Sequence, residues 1–310
     1  MTLLIHIGTT KTGSKGIQTF LQRNQQILLR YGCVWPTEGR DGNWHRPLVF
    51  DFDPAMIPVL AGQVAEASHA VISFENLYEA GDSLIEHLSR LSDAPTVLLF
   101  VRNPVDWVNS FLNQMVKSHR RSIRDIDGFA WNDAGLSNRF DVESHLRRWE
   151  RVFGRQAIRV VPYSRQRSSV MPVIECLDLP EAALAELTFP AENMNKAADI
   201  SSLRVLYRLK QQIGVDDMER LVRGVTLAHR HLAERWIDSR VAAVPMLLGR
   251  ADRDAIAAAL GGPTRAIAER YGLGESLMTD GDWSEAEGAR FSRPTDEEAE
   301  LADALYRASA

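Results

Sequence analysis

The chain has 310 residues, 45% hydrophobic and 25% charged, with a net charge of −5; these are the proportions of an ordinary soluble globular protein, and the charge argues against a general nucleic-acid binder without excluding a local basic cleft. The two cysteines, Cys33 and Cys176, exclude a disulfide framework and suggest buried free thiols, and no Cys/His spacing suggests a metal site. No stretch approaches ~18 apolar residues and no basic leader precedes one, so a cytoplasmic chain without stable membrane insertion is expected, long enough for one large α/β domain or a domain with an appendage.

In chain order, Leu3 to Ile7 is a short apolar run that reads as a buried strand. The loop Gly8-Thr9-Thr10-Lys11-Thr12-Gly13 follows, and from Ser14 the apolar positions Ile17, Phe20, Leu21, Ile27 and Leu28 fall on one helix face. A strand that feeds such a loop into a helix N-terminus makes an anion site, because free N–H groups and the helix dipole converge there. Residues 32–36 read as a second strand, 37–53 as a loop able to reach over the first strand's end, and 55–67 as a helix. Residues 70–74 read as a third strand, closed by Glu75, and 84–91 as a helix. Thr96 to Val101 is the strongest strand; its apolar residues do not alternate, which predicts a central strand covered on both faces. A helix over 142–153 and a strand over 158–163 continue the alternation, which implies a parallel sheet wrapped by helices, with ligands at the C-terminal strand ends.

Beyond Pro180 no convincing strand is seen; 201–213, 216–237, 251–272 and 295–308 read as helices, and the polar stretch 283–294 as a partly mobile tail. The expected division is therefore an α/β core over 1–180 and a mainly helical region over 181–310 that packs on it.

The loop invites comparison with the triphosphate pattern G-x-x-x-x-G-K-[ST]. Gly8 and Gly13 have its separation, but Ser14 stands where the lysine belongs, Lys15 is one residue late, and Gly16 replaces the magnesium-binding hydroxyl. Lys11 lies inside the loop instead. The order Lys-Thr-Gly-Ser at a helix start resembles the 5′-phosphosulfate loop of sulfotransferases that use 3′-phosphoadenosine 5′-phosphosulfate (PAPS). The strongest strand then runs into Arg102-Asn103-Pro104-Val105-Asp106, with Ser110 eight residues after the arginine, and this resembles the 3′-phosphate motif of the same family. The resemblance spans roughly residues 3–178 and looks like the bacterial branch that acts on carbohydrates or other metabolites.

It implies a three-layer α/β/α fold related to P-loop kinases. Lys11, Thr12, Gly13, Ser14, Lys15 and Gly16 would surround the 5′-phosphosulfate, Arg102 and Ser110 would hold the 3′-phosphate, and no metal is expected. Lys15 departs from the hydroxyl residue the family often has there. The implied reaction moves a sulfuryl group from PAPS to a hydroxyl or amine of a small-molecule or glycan acceptor, with Lys11 stabilising the leaving group. For the base that deprotonates the acceptor, Glu75 is the first candidate, His45 the second for its near-neutral pKa, and Glu38 the third.

Two rivals remain at this stage: a nucleotide-dependent small-molecule kinase and a non-catalytic nucleotide-binding protein of the same fold. His6, inside the first strand, reads as structural. The basic run Lys117 to Arg124 reads as a solvated helix end, with steering of an anionic ligand as the functional alternative. Tyr163 would stack on adenine or close the core, and the resemblance places acceptor or cofactor contacts at Asn193, Asn195 and Lys196. Oligomeric state and acceptor identity stay open.

Overall fold

A computed structural model describes residues 1–190, 196–238, 244–277, 283–284 and 294–310. The chain begins with β1 (Thr2–Gly8), α1 (Ser14–Arg30), β2 (Cys33–Val34), α2 (Pro47–Phe50), α3 (Met56–Ala65), β3 (His69–Ser73), α4 (Asp82–Ser89) and β4 (Pro95–Val101). Next come α5 (Pro104–Lys117), α6 (Ile123–Asp127), α7 (Ala134–Phe140), α8 (Val142–Phe153), β5 (Ile158–Pro162), α9 (Met171–Leu177) and α10 (Glu181–Glu186). The remainder comprises β6 (Lys196–Ala197), α11 (Ile200–Ile213), α12 (Met218–Leu232), β7 (Ile237–Asp238), β8 (Val244–Pro245), α13 (Arg250–Tyr271), β9 (Trp283–Ser284) and α14 (Asp296–Ala308).

These elements group into two compact units that interleave along the chain. One holds Met1–Arg102, Asp141–Met194 and Pro263–Met278; the other holds Asn103–Phe140, Asn195–Gly262 and Thr279–Ala310. A single break near residue 180 does not describe this grouping, because α5, α6 and α7 cluster with the later helices.

The first unit is the expected α/β fold. Its sheet has the order β2-β3-β1-β4-β5 with every neighbouring pair parallel, so all five strands end at one edge. β4 lies inside the sheet between β1 and β5, although the middle position belongs to β1. Its unbroken apolar run has the predicted cause: Val97 to Val101 are all buried. On one face, Leu4, Val71, Leu98 and Phe100 pack with Ile17, Phe20, Leu21 and Leu28 of α1 and with Val173, Ile174 and Leu177 of α9. Each such side chain contributes roughly 1.5–3 kcal/mol on burial. The other face carries α8, which lies against α4 and β4 and whose Trp149 indole donates to the Tyr78 carbonyl at 3.3 Å. α1 stops where Gly32 adopts φ 73, the left-handed geometry of a glycine helix stop.

The second unit is mainly helical, with α11 packed on α5, α12 and α14. Contrary to the sequence expectation, short strands do occur after residue 180: β6 pairs antiparallel with β7, and β8 parallel with β9. Each is two residues long, too short for any periodic signal to show. Asn109 of α5 ties this unit together, donating to the Pro245 carbonyl at 3.0 Å and accepting from the Leu247 N–H at 2.8 Å.

Lys210 of α11 is fully buried, and its ammonium donates to the carbonyls of Met115 (3.3 Å), Ser118 (2.7 Å) and Arg121 (2.6 Å). It caps the C-terminal end of α5, where unpaired carbonyls carry partial negative charge. Burial pulls its pKa down to about 7, against the opposing pull of Asp125. Lys210→Met keeps the apolar stem and strips three carbonyls of their donor; urea unfolding should show a loss of about 2–3 kcal/mol, and a loss below about 0.5 kcal/mol would contradict the capping role.

Candidate functional site

The loop between β1 and α1 is shaped by its neighbours at the sheet edge. Gly8 has φ 108, and a Cβ there would lie 2.1 Å from the Glu75 carbonyl oxygen, so only glycine lets β1 and the chain after β3 approach this closely. Thr9 then bonds the Phe100 carbonyl through both its N–H and its hydroxyl, each at 3.2 Å, which anchors the loop on β4. Thr12 is buried and its hydroxyl donates to the Thr9 carbonyl, closing the loop on itself. Lys11 sits at φ 65, and its carbonyl accepts a 2.9 Å hydrogen bond from Arg102 Nη1. The two cations of the sequence motifs are thus joined through the loop backbone.

Gly13, the N-cap of α1, is left-handed with φ 88 and ψ 10, and no side chain caps the helix. Gly13 in the left-handed region followed by the helical Ser14 turns successive N–H groups inward, the geometry of an anion nest. Ser14 is 5% exposed, and its hydroxyl has no hydrogen-bond partner among the described residues. An orphaned buried hydroxyl beside uncapped N–H groups fits an oxyanion. Gly16 is buried and Lys15 is exposed, so Lys15 projects from the opposite side of the helix start to the packed residues.

The start of α5 is different. Its N-cap Asn103 accepts from the N–H groups of Val105 (2.9 Å) and Asp106 (3.2 Å). With those donors consumed, an anion at this motif has to be held by side chains. Arg102 is buried in the first unit, its guanidinium 5.0 Å from the centre of the Tyr163 ring. Ser110 is half-buried on α5 in the second unit.

Of the three candidate bases, Glu75 stands beside the loop. Its backbone packs on Gly8, and its carboxylate accepts from Gln18 Nε2 at 2.8 Å. His45 follows a different course from the one its sequence context suggested. It is fully buried, and its Nδ1 accepts from the Ser73 N–H at 3.1 Å. Burial, and then the charge of Arg40, push its pKa down to about 3. The loop 37–53 does fold onto the sheet edge, but it delivers this histidine into the core. Glu38 lies in the same loop, its N–H bonded to Gln63 Oε1 at 3.2 Å. His6 is structural as expected: its Nδ1 lies 2.8 Å from the Ser73 hydroxyl, and burial lowers its pKa to about 3.

The basic run is not a uniformly solvated face. Lys117 is buried with its ammonium 5.0 Å from the centre of the Trp236 ring, and the His119 ring lies 4.6 Å from that of His229. Arg121 pairs with Asp125 at 3.5 Å. Asn193, Asn195 and the stretch 285–293 lie outside the described residues, as does the side chain of Lys196.

Two site residues escaped the sequence reading. Gln18, one turn after Ser14, could have been found as a polar side chain interrupting an apolar stripe. Ser169, in the loop after β5, donates to the Gly13 carbonyl at 3.0 Å across 156 residues of sequence, and nothing local announces it.

Among the described residues no group of three or more His, Cys, Asp or Glu could hold a metal ion, and no helix is long and apolar enough to cross a membrane. No family model and no curated protein matches the chain. Among solved structures, the chain is similar to a sulfotransferase from Alicyclobacillus acidocaldarius, at 14% identity over 71% of this chain and 94% of that one, with a TM-score of 0.39. It is also similar to the sulfotransferase domain from the curacin biosynthetic pathway, at 11% identity over 83% of this chain and 96% of that one, with a TM-score of 0.34.

The buried histidines make a pH prediction. Folded His6 and His45 stay neutral down to about pH 3, whereas in the unfolded chain they take up protons near pH 6.5. Their stabilising contribution is therefore complete above that value and falls as the pH drops toward 3. Each should cost about 1.4 kcal/mol per pH unit across that window. Urea unfolding at pH steps from 6 to 4 should show His45→Gln with a shallower slope than the wild type by one such share; equal slopes would mean that His45 is protonated in the folded chain.

Proposed function

We propose that this chain is a sulfotransferase that takes the sulfuryl group from PAPS and places it on a hydroxyl, or an amine, of a carbohydrate or other metabolite. The observation that carries this reading is the uncapped start of α1. Its Lys-Thr-Gly-Ser loop is held open at Gly13 and joined through the Lys11 carbonyl to Arg102, the arginine of the second phosphate motif. A donor phosphorylated at both ends needs two such motifs, and a simple strand–helix turn needs neither.

When bound, PAPS supplies a sulfuryl group on a good leaving group, adenosine 3′,5′-bisphosphate. The loop N–H groups, the Ser14 hydroxyl and the Lys11 ammonium are suited to hold the 5′ end and to offset the charge that grows there. The sequence motif assigns Arg102 and Ser110 to the 3′-phosphate, and the guanidinium's several donors suit Arg102 to that role. Glu75 takes the acceptor proton, and Gln18 fixes its carboxylate so that one oxygen is oriented in advance. The burial of His45 argues against it as the base, and Glu38 is taken as the alternate.

Gly16, in the position of the magnesium-binding hydroxyl of triphosphate loops, supports a donor handled without that contact. Adenosine 3′,5′-bisphosphate at ~100 times its dissociation constant should stabilise the protein by nearly 3 kcal/mol in a melting experiment without added metal. Stabilisation only by ATP with magnesium would instead establish the kinase reading. Transfer of labelled sulfate from PAPS to a panel of glycans, lipids and phenols separates an enzyme from a non-catalytic binder and identifies the acceptor.

In the same assay Glu75→Gln should lower turnover at least ~100-fold with little change in the apparent donor affinity. Retained turnover would transfer the base role to Glu38.

A further inference from the structure

Helix α1 lacks the usual side-chain cap. A local Ser, Asp or Asn cap would consume the N–H groups of the first turn, the very donors an anion needs. The loop is held from its carbonyl side instead. Ser169 Oγ donates to the Gly13 carbonyl at 3.0 Å, and Arg102 Nη1 donates to the Lys11 carbonyl at 2.9 Å. Both donors come from outside the loop, and both grip a residue with positive φ, 88 for Gly13 and 65 for Lys11.

The fit around Ser169 is close. A Cβ on Gly13 would lie 2.5 Å from its hydroxyl oxygen, and one on Gly16 would lie 3.5 Å from it. The segment that carries Ser169 begins at Tyr163, whose N–H bonds the Val101 carbonyl at 2.7 Å, so its start is fixed to the end of β4.

We propose that Ser169 is a positioning residue for the anion loop: by holding the Gly13 carbonyl, which also accepts the Gly16 N–H at 2.8 Å, it keeps the Ser14 and Lys15 N–H groups turned toward a bound phosphate or sulfate ester without occupying them. It touches neither the ligand nor the reacting atoms, and it acts through Gly13. This rests on the function proposed above only for the identity of the ligand; the loop's capture of an oxyanion is tested separately.

The test compares wild type, Ser169→Ala and Ser169→Thr in titrations with inorganic pyrophosphate and with adenosine 3′,5′-bisphosphate, alongside melting curves without ligand. Ser169→Ala should bind both ligands about tenfold more weakly. Ser169→Thr, which keeps the hydroxyl, should recover affinity to within about twofold of wild type. In turnover, the KM for the donor should rise in Ser169→Ala while kcat stays within about twofold, since the residue touches no reacting atom. A merely structural serine would lower the ligand-free melting temperature and leave the affinities alone, and that result overturns the inference, as does equal binding by wild type and Ser169→Ala. If wild type binds pyrophosphate but not the bisphosphate, the donor assignment fails while the tenfold pyrophosphate difference still supports Ser169. A wild-type chain that binds neither overturns both.

Discussion

The hydrogen bond from Arg102 to the Lys11 carbonyl is the contact on which the rest of the site depends. It joins the end of β4 to the loop after β1, two parallel neighbours whose C-terminal ends share one edge. A non-glycine residue at φ 65 pays a conformational penalty of order 1–2 kcal/mol, and a charge-assisted bond to its own carbonyl is of the right size to hold it there. Lys11 and Gly13 both have positive φ, and the carbonyl of each accepts a hydrogen bond from a side chain outside the loop. The sheet supplies the rigidity, since Leu3 to Ile7 and Val97 to Val101 are buried without a break.

The same edge explains the placement of Glu75. The lack of a side chain at Gly8 lets the backbone after β3 lie directly on β1, and Gln18 then reaches the carboxylate from α1. His45 reaches the same edge but enters the core, where it closes a backbone donor at Ser73. The first and second candidate bases of the sequence end in different places, Glu75 beside the loop with its carboxylate held by Gln18 and His45 fully buried. Burial, and after it the charge of Arg40, hold the histidine's pKa at about 3, well below neutrality.

In the second unit the end of α5 meets two buried cations with separate tasks, one of them from outside the basic run. Lys210, from a helix remote in sequence, caps α5, while Lys117 lies buried against the face of Trp236. The cation that complements the helix end is thus supplied by α11, a choice made by packing that no i,i+4 rule within α5 could reveal.

By itself the sequence determined the alternation of strands and main helices in the α/β unit, the parallel sheet and the two loops at its edge, though not the short helices α2, α9 and α10, because the features it carried are local: apolar run length, helix-face spacing, and glycine and proline placement. It also marked Lys11, Gly13, Ser14 and Arg102, through the residue order of the two loops and the family motifs that this order resembles. It could not set the two-residue strands β6 to β9, the interleaved units, the burial of His45, or the grip of Ser169 on Gly13. Each of these depends on contacts between residues far apart in the chain, and a side chain's surroundings there are decided by which elements pack together. The tertiary structure made that decision.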